Sequence, residues 1–524
     1  MGKLIPNKFI LGVVIFVALG SCSCAYGLAI IGSTIGQPSF YKSLKLTPQG
    51  EPGYSRTAAY IGGFNGTFSD AQDPPDGDEL IFPSAGISCA GSAFGSCAVS
   101  YLADKYSRKH TIQLGAIILS IGAAICGGSV DNAMFLVGRL INGFGIGLLV
   151  TCIPMYLAEV STPECRGFMV SMHGIMFALG YTLSAFLGFG VSFISTSGSP
   201  SSFPWRFPIA FQMLPALIML AGSKFLPYSP RWLMMQGRVD EAHDVIKRLH
   251  QSKDDTHATL ARQEFYQIKK QVELDREMIA SSSSFEIFKT APNRRRLFVG
   301  CTLMFLNVWT GSGLIANYGV ILYTQLGMTG YMPLLLTSLW VLVTFPGNTF
   351  CAFYVEKFGR RRFLLIGLSG ILICLVCEAA IQAKYIGTSN HVALGFGVFF
   401  IFLFICPFWS TFMDATQFVY ISEIFPTHIR SQGMGLSMFA LFASSTIALC
   451  AGPTALNEDI NALFGEKVAI HMYGATEAEK EEFEQAVLRD EQGDFHMVTG
   501  ESTDIDDSKN AAERVEHLVQ DETV

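Results

Sequence analysis

Several polar side chains of this chain lie inside long apolar runs. Such groups are costly within a bilayer and usually face a cavity or one another. Ser410, Asp414 and Gln417 share one helical face. So do His173, Tyr181 and Ser184, and so do Asn307, Thr310 and Asn317. Amides and hydroxyls in this pattern can donate and accept hydrogen bonds within such a cavity. Asp414 adds an acid that can hold a proton; its plainer reading is a protonated carboxyl, or one bonded to a neighbouring helix. A second set of charges closes the apolar runs. Tyr156-Leu-Ala-Glu159, then Pro163 and Arg166-Gly167, ends one run; Tyr420-Ile-Ser-Glu423, then Pro426 and Arg430, ends another. Asp104-Lys-Tyr-Ser-Arg108-Lys109 recurs in the same order as Glu356-Lys-Phe-Gly-Arg360-Arg361-Arg362. Acid–base pairs Glu159 with Arg166, and Glu423 with Arg430, could latch and release a gate as two halves rock; the plainer reading anchors helix ends at the headgroups.

The elements that carry these residues follow from composition. Half of the 524 residues are hydrophobic and only 15% are charged, where a soluble chain has about a quarter charged. Apolar windows of about 20 residues recur, enough to cross the hydrocarbon as helices. Spans are expected near Phe9–Ile31, Ile81–Leu102, Thr111–Gly127, Ala133–Tyr156, Phe168–Ile194 and Phe207–Leu226. They resume near Leu297–Tyr323, Pro333–Val355, Phe363–Ile381, Val392–Tyr420 and Gly433–Pro453. The fold class is therefore an all-α membrane protein, and charged motifs duplicated at span ends mark a transporter built from two related halves. Arg108, Lys109, Arg166, Lys357, Arg360–Arg362 and Arg430 fall on one side with the basic middle loop, which makes that side and the N-terminus cytoplasmic.

The expected organisation is an N-terminal bundle over residues 1–226, a cytoplasmic middle loop over 227–296, a C-terminal bundle over 297–456 and an acidic tail over 457–524. The middle loop has helical patterning at Asp240–His250 and Gln263–Ile279, read as short amphipathic helices under the membrane domain. The tail holds no spanning run, allows a soluble helix at Thr476–Leu488, and reads as disordered beyond Arg489. Lys3 and Lys8 before an apolar run resemble a signal peptide, but apolar character through Ile31 favours a first membrane helix. Cysteines such as Cys126, Cys152, Cys374 and Cys406 lie in apolar runs and act as small buried hydrophobes, without the spacing of a metal site.

Gly138-Arg139-Leu-Ile-Asn-Gly143-Phe-Gly145-Ile-Gly147, followed by Pro154-Met-Tyr156-Leu-Ala-Glu159, resembles the sugar-porter signature of the major facilitator superfamily. Pro227-Tyr-Ser-Pro230-Arg231-Trp232-Leu233 and Tyr420-Ile-Ser-Glu423-Ile-Phe-Pro426 extend the resemblance, which runs from the first span to Pro453. Ile31–Phe40 and Phe425–Gly433 are similar to a fungal hexose or lactose-permease-like branch. The resemblance implies the major-facilitator fold, with two related helical bundles of six and about five membrane helices where the family has six plus six. Gly143 and Gly147 give the small-xxx-small spacing that lets helix backbones approach.

The sugar site departs from the family pattern. Where the seventh span of sugar porters shows a Gln-Gln pair and Ser-Gly-x-Asn, this chain has Asn307-Val308-Trp309-Thr310-Gly311-Ser312-Gly313. The fifth-span Gln is replaced by Gly174 next to His173, the tenth-span Trp by Phe418, and the Glu of the Pro-Glu-Ser-Pro motif by Tyr228. A residue near Gly27 stands where proton-coupled members carry an acid. The expected substrate-binding set is His173, Asn307, Trp309, Thr310, Asn317, Tyr318, Asp414 and Gln417. The expected gating set is Asp104, Arg108, Glu159, Arg166, Glu356, Arg360, Glu423 and Arg430. An acidic segment at residues 70–80 interrupts the start of the second span and reads as an insertion, and the twelfth span of the family is missing before Glu458. Eleven crossings would put the tail outside, and the missing span predicts low stability and weak transport. Asn65-Gly-Thr67 matches a glycosylation pattern.

The expected function is transport of a hexose or disaccharide by alternating access, as a uniporter or a proton symporter, in the plasma membrane. Lack of the first-span acid favours uniport and Asp414 favours symport. The second reading is a non-transporting sugar sensor or an inactive truncated isoform. No nucleophile–base pair or metal spacing supports an enzyme. The expected partners are a sugar and the lipid bilayer, with protons as a candidate, no cofactor and no nucleic acid.

Overall fold

A computed structural model describes residues 8–35, 38–44, 84–162, 165–196, 202–250, 259–281, 286–325, 328, 330–385 and 391–458. The segment 70–80, Asn65, and the tail from 459 onward, including Thr476–Leu488, lie outside the described residues. In the first half, α1 covers Lys8–Ile35, α2 Ser84–Tyr106, α3 Arg108–Gly127, α4 Asn132–Val160 and α5 Arg166–Thr196. The sixth span is split into α6 (Phe203–Phe211) and α7 (Met213–Gly222). The unbroken α1 agrees with a first membrane helix. The α2 helix is described from Ser84 onward, and residues 81–83, where the apolar pattern starts it, lie outside the described residues.

Small residues set how these helices meet. A Cβ on Gly143 would lie 2.0 Å from Ser88 O, and one on Gly147 would lie 2.0 Å from Ser92 O. Only hydrogen fits there, so α4 rests backbone against backbone on α2. The Ser92 hydroxyl uses the closeness to donate to Gly143 O at 2.9 Å.

The stretch that follows includes α8 (Pro230–Met235), α9 (Val239–His250) and α10 (Thr259–Ser281). Leu233, Met234, Ala242, Ile246, Ala261 and Val272 form their shared core, as the amphipathic patterning anticipated. They are also tied to the membrane helices. Trp232 Nε1 donates to Asp104 O at 3.1 Å, and Thr427 Oγ1 donates to Asp275 at 2.5 Å.

The second half comprises α11 (Ala291–Val308), α12 (Ser312–Gln325), α13 (Met332–Leu342), α14 (Thr344–Phe358) and α15 (Arg360–Tyr385). It continues with α16 (His391–Leu403), a π-helix at Phe404–Asp414, α17 (Ala415–Ile424) and α18 (Arg430–Glu458). Among the described residues, 10 helical stretches are long and apolar enough to cross a membrane. The stretch expected as the seventh span is not among them; there α11 and α12 are separated by a break at Trp309–Gly311, where Gly311 takes φ +91°. Positive φ is the conformation glycine adopts without strain. Across the two halves, α18 packs on α2, and α5 packs on α13 and α14. In the first half α7 covers α1 and α3. In the second half α15 leaves Leu372, Ile373 and Val376 more than 60% exposed, with no described helix over them.

Candidate functional site

A cavity of about 150 Å³ lies between the two halves. The first half contributes Leu28, Arg139 and Tyr181 to its walls, and the second half contributes Asn307, Ser312, Asn317, Trp409, Asp414, Gln417 and Ser445. Asn307 ends α11 beside the Gly311 break, and Asn317 sits one helix later, so the break turns both amides to one space. Asn317 Nδ2 donates to Gly313 O at 2.9 Å. Asn307 Oδ1 and Gln417 Oε1 are buried and accept no hydrogen bond. Buried acceptors are normally satisfied, so these two are positioned to receive donors from a molecule in the cavity. Asp414 ends the π-helix and is 5% exposed. Its Oδ2 accepts a bond from Asn348 Nδ2 at 2.8 Å.

The remaining binding candidates lie elsewhere. His173 is fully buried, with Nδ1 2.7 Å from Ser21 Oγ and its ring 4.7 Å from that of Phe418, and it does not line the cavity. Trp309 stands on the helix break and is 53% exposed. Thr310 donates to Asn307 O at 2.7 Å, within its own turn. The face expected for Asn307, Thr310 and Asn317 fails at Thr310, because the break at Gly311 interrupts the helical register. The side chain of Tyr318 lies outside the described ones. Ser410 donates to Cys406 O at 2.8 Å and packs on Gly347 rather than lining the cavity.

At the end of the helices that carries the repeated charges, the partners differ from the sequence pairing. Glu159 does not hold Arg166. It accepts from Arg108 Nε at 3.1 Å and from Ser229 Oγ at 2.5 Å. Glu423 does not hold Arg430; it takes both forks of Arg360, at 3.0 and 2.8 Å. The reason is local. The α4 helix stops at Val160 and the chain turns before Arg166, so the sequence spacing does not continue along one helix. The observed pairs are nevertheless equivalent in the repeat: Arg108 with Glu159 matches Arg360 with Glu423.

The other repeated acids reach across the halves. Asp104 is 3.0 Å from Arg108 and also accepts from Ser431 Oγ at the start of α18. Glu356 Oε1 accepts from Gly167 N at 2.8 Å at the start of α5. Each carboxylate thus sits at a helix N-terminus of the opposite half, where unpaired N–H groups and the helix dipole favour negative charge. Arg166 and Arg430 make no ion pair among the described residues, and the Nε of each is buried without an acceptor. Arg231, on α8, donates to Gln271 at 3.0 Å. Burial holds its pKa below the ordinary guanidinium value, with Glu159 opposing the shift and Arg166 adding to it.

The sequence profile of the sugar (and other) transporter family matches residues 13–472. The chain belongs to this family. Among its relatives, the MFS-type transporter criB of Aspergillus cristatus is 32% identical over 361 residues, covering 69% of this chain and 76% of the relative. The low-affinity glucose transporter HXT3 of Saccharomyces cerevisiae is 31% identical over 360 residues, 67% of this chain and 61% of that protein. The E. coli proton:xylose symporter XylE, bound to 6-bromo-6-deoxy-D-glucose, superposes with a TM-score of 0.70 at 20% identity, covering 88% of this chain and 91% of that one. That likeness establishes the major-facilitator fold.

Sequence reasoning missed several residues in or beside the cavity, Arg139, Trp409 and Asn348 among them. Arg139 sits in the glycine-rich motif that reads as helix packing; it is 3% exposed and donates to Gly27 O at 3.0 Å. Trp409 lies in the π-helix, whose wider turn no spacing rule anticipates. Asn348 was detectable, since it is an amide within the apolar run of the eighth span.

Proposed function

We propose that this chain is an integral membrane transporter that moves a sugar, a hexose or disaccharide, by alternating access. The observation that carries the reading is the cavity between the halves, where the unpaired acceptors Asn307 Oδ1 and Gln417 Oε1 converge with Asn317 and Asp414. A sugar supplies hydroxyl donors in several directions, which matches acceptors spread over α11, α12 and the tenth span. The apolar wall includes Trp409, Phe418, Val341 and Leu28, suited to the C–H face of a pyranose. His173, Thr310 and Trp309 act at a distance, the first two by fixing helix positions. Tyr318 is proposed with the binding set from its place on α12.

The charged end forms the inner gate in this reading. Arg108–Glu159 and Arg360–Glu423 hold helix ends within each half. Asp104 and Glu356 latch each half to the other while that end is closed, and Arg166 and Arg430 supply positive charge at the seam. The cytoplasm is the proposed side for this end and for the N-terminus, a reading supported by its lysines and arginines, and the plasma membrane is the proposed location. The relatives named for glucose transport support a hexose. Uptake of labelled hexoses and disaccharides in a host lacking its own sugar transporters tests the reading. Saturable uptake is expected, and its absence from correctly inserted protein would reject it.

A further inference from the structure

We propose that Arg139 makes the first-half wall of the cavity a binding site for a small monovalent anion, supplied either by solution as chloride or by the sugar as a carboxylate. The inference deepens the transport reading above, because it gives that site a charged ligand.

Arg139 lines the cavity and is 3% exposed. Its Nη1 donates to Gly27 O at 3.0 Å, and its Nε is buried without an acceptor. Among the described residues, no aspartate or glutamate lies within ion-pair distance of it. Arg108 of α3 is also buried, but it holds both Asp104 and Glu159. A guanidinium does not escape burial by losing its proton, as a carboxylate does by gaining one. A buried charge without a counter-ion is strongly destabilising, and inside a membrane such groups pair or face a cavity. Arg139 faces the cavity, so its counter-ion arrives from there.

Two amides stand beside it with polar atoms to spare. Asn142 follows Arg139 by three residues on α4, on the same face. Gln212 lies at the junction of α6 and α7 and is fully buried. Both approach Gly27 of α1: a Cβ there would lie 2.5 Å from Gln212 Oε1 and 3.5 Å from Asn142 Oδ1. Arg139, Asn142 and Gln212 therefore converge on one glycine, which brings no side chain of its own to neutralise the arginine. Asn142 Nδ2 donates to Leu119 O at 3.0 Å, which fixes that amide. Neither Oε1 nor Nε2 of Gln212 has a hydrogen-bond partner. The Gln212 amide is free to turn and present Nε2 as a second donor beside the guanidinium. Charge-assisted hydrogen bonds of this kind are the strong ones in anion recognition.

The other charged residue on the cavity wall stands on the opposite half. Asp414 accepts from Asn348 Nδ2 at 2.8 Å and makes no ion pair among the described residues. An anion thus settles against Arg139, on the side away from Asp414, and the sugar hydroxyls reach Asn307 and Gln417. Closing the cavity removes water from the guanidinium. With the anion in place the pair is neutral and closure costs less, so anion binding favours the closed cavity and speeds exchange.

The full chain is purified in sodium methanesulfonate, and either sodium chloride or sodium D-galacturonate is added at constant ionic strength. The thermal unfolding midpoint in detergent reads binding, and counterflow of labelled D-glucose and D-galacturonate in liposomes reads transport. If solution supplies the anion, chloride raises the midpoint saturably and glucose counterflow rises with it. If the sugar supplies it, galacturonate raises the midpoint and is exchanged, and chloride competes with it. Either response is expected to vanish in Arg139→Gln. Gln212→Glu builds a carboxylate beside Arg139, so it too is expected to lose the response to both anions. A midpoint indifferent to chloride and to galacturonate, or a response that survives in both variants, overturns the proposal. Where Arg139→Gln does not fold, a response retained in Gln212→Glu overturns it alone. A saturable anion response in protein that exchanges neither sugar defeats the transport reading and supports the anion site.

Discussion

Replacing Glu356 with alanine should open the charged end of this transporter. The carboxylate accepts from Gly167 N at 2.8 Å, so the bond joins the second half to the first turn of α5 in the other. A hydrogen bond to a charged group contributes about 1.5–3 kcal/mol. The negative charge at a helix N-terminus adds about 0.3–1 kcal/mol. Partial exposure of the side chain favours the low end, near 2 kcal/mol in total. The contact exists only while the halves meet here, so the loss falls on the closed arrangement alone. At about 1.4 kcal/mol per tenfold, the open population rises about 30-fold. Cys165 immediately precedes α5 and is 7% exposed, which makes it a built-in reporter. Maleimide labelling resolved to the Cys165 peptide, applied from that side, should accelerate by about the same 30-fold while the open form remains the minor one. Asp104→Ala, which releases Ser431 in the equivalent contact, should act in the same direction. Unchanged Cys165 labelling in both variants, in protein that stays monodisperse, would refute the latch.

Three further outcomes are expected. Gly147→Leu places a Cβ 2.0 Å from Ser92 O and cannot be absorbed by side-chain motion; overpacking costs about 1–3 kcal/mol even where neighbours can yield, so thermal unfolding in detergent should show a lowered midpoint or no folded peak. Asn307→Ala and Asn317→Ala should raise the KM for sugar more than Cys301→Ala does, because Cys301 Sγ is turned to Leu436 O, away from the cavity; equal KM values would contradict the site. Trp309→Ala should leave KM nearly unchanged, since its side chain is 53% exposed outside the cavity.

The fold was legible because its signals are local and repeated. Apolar length alone placed the spans, and the paired motifs at Asp104 and Glu356 showed the two halves. The amphipathic patterning at Asp240–His250 found α9 for the same reason. The partners of the charges were not legible. Glu159 and Arg166 are close in sequence, but the turn after Val160 separates them, and Arg108 arrives from another helix. The break at Gly311 and the π-helix before Asp414 change helical register, which is why Thr310 and Ser410 fell away from the faces drawn for them. Asn307, Asn317, Asp414 and Gln417 survived as cavity residues because a polar group within an apolar run has few places to go. Arg139 was hidden by a motif whose glycines explain themselves through packing.

Sugar movement by the intact chain is the most direct test. With the purified protein in liposomes, counterflow of labelled hexose against an unlabelled internal pool should be saturable. Asn307→Ala and Gln417→Ala should weaken it through KM, as expected of two acceptors that face the cavity unpaired. Folded, inserted protein that exchanges no sugar above empty liposomes, or exchange indifferent to both substitutions, would contradict the account.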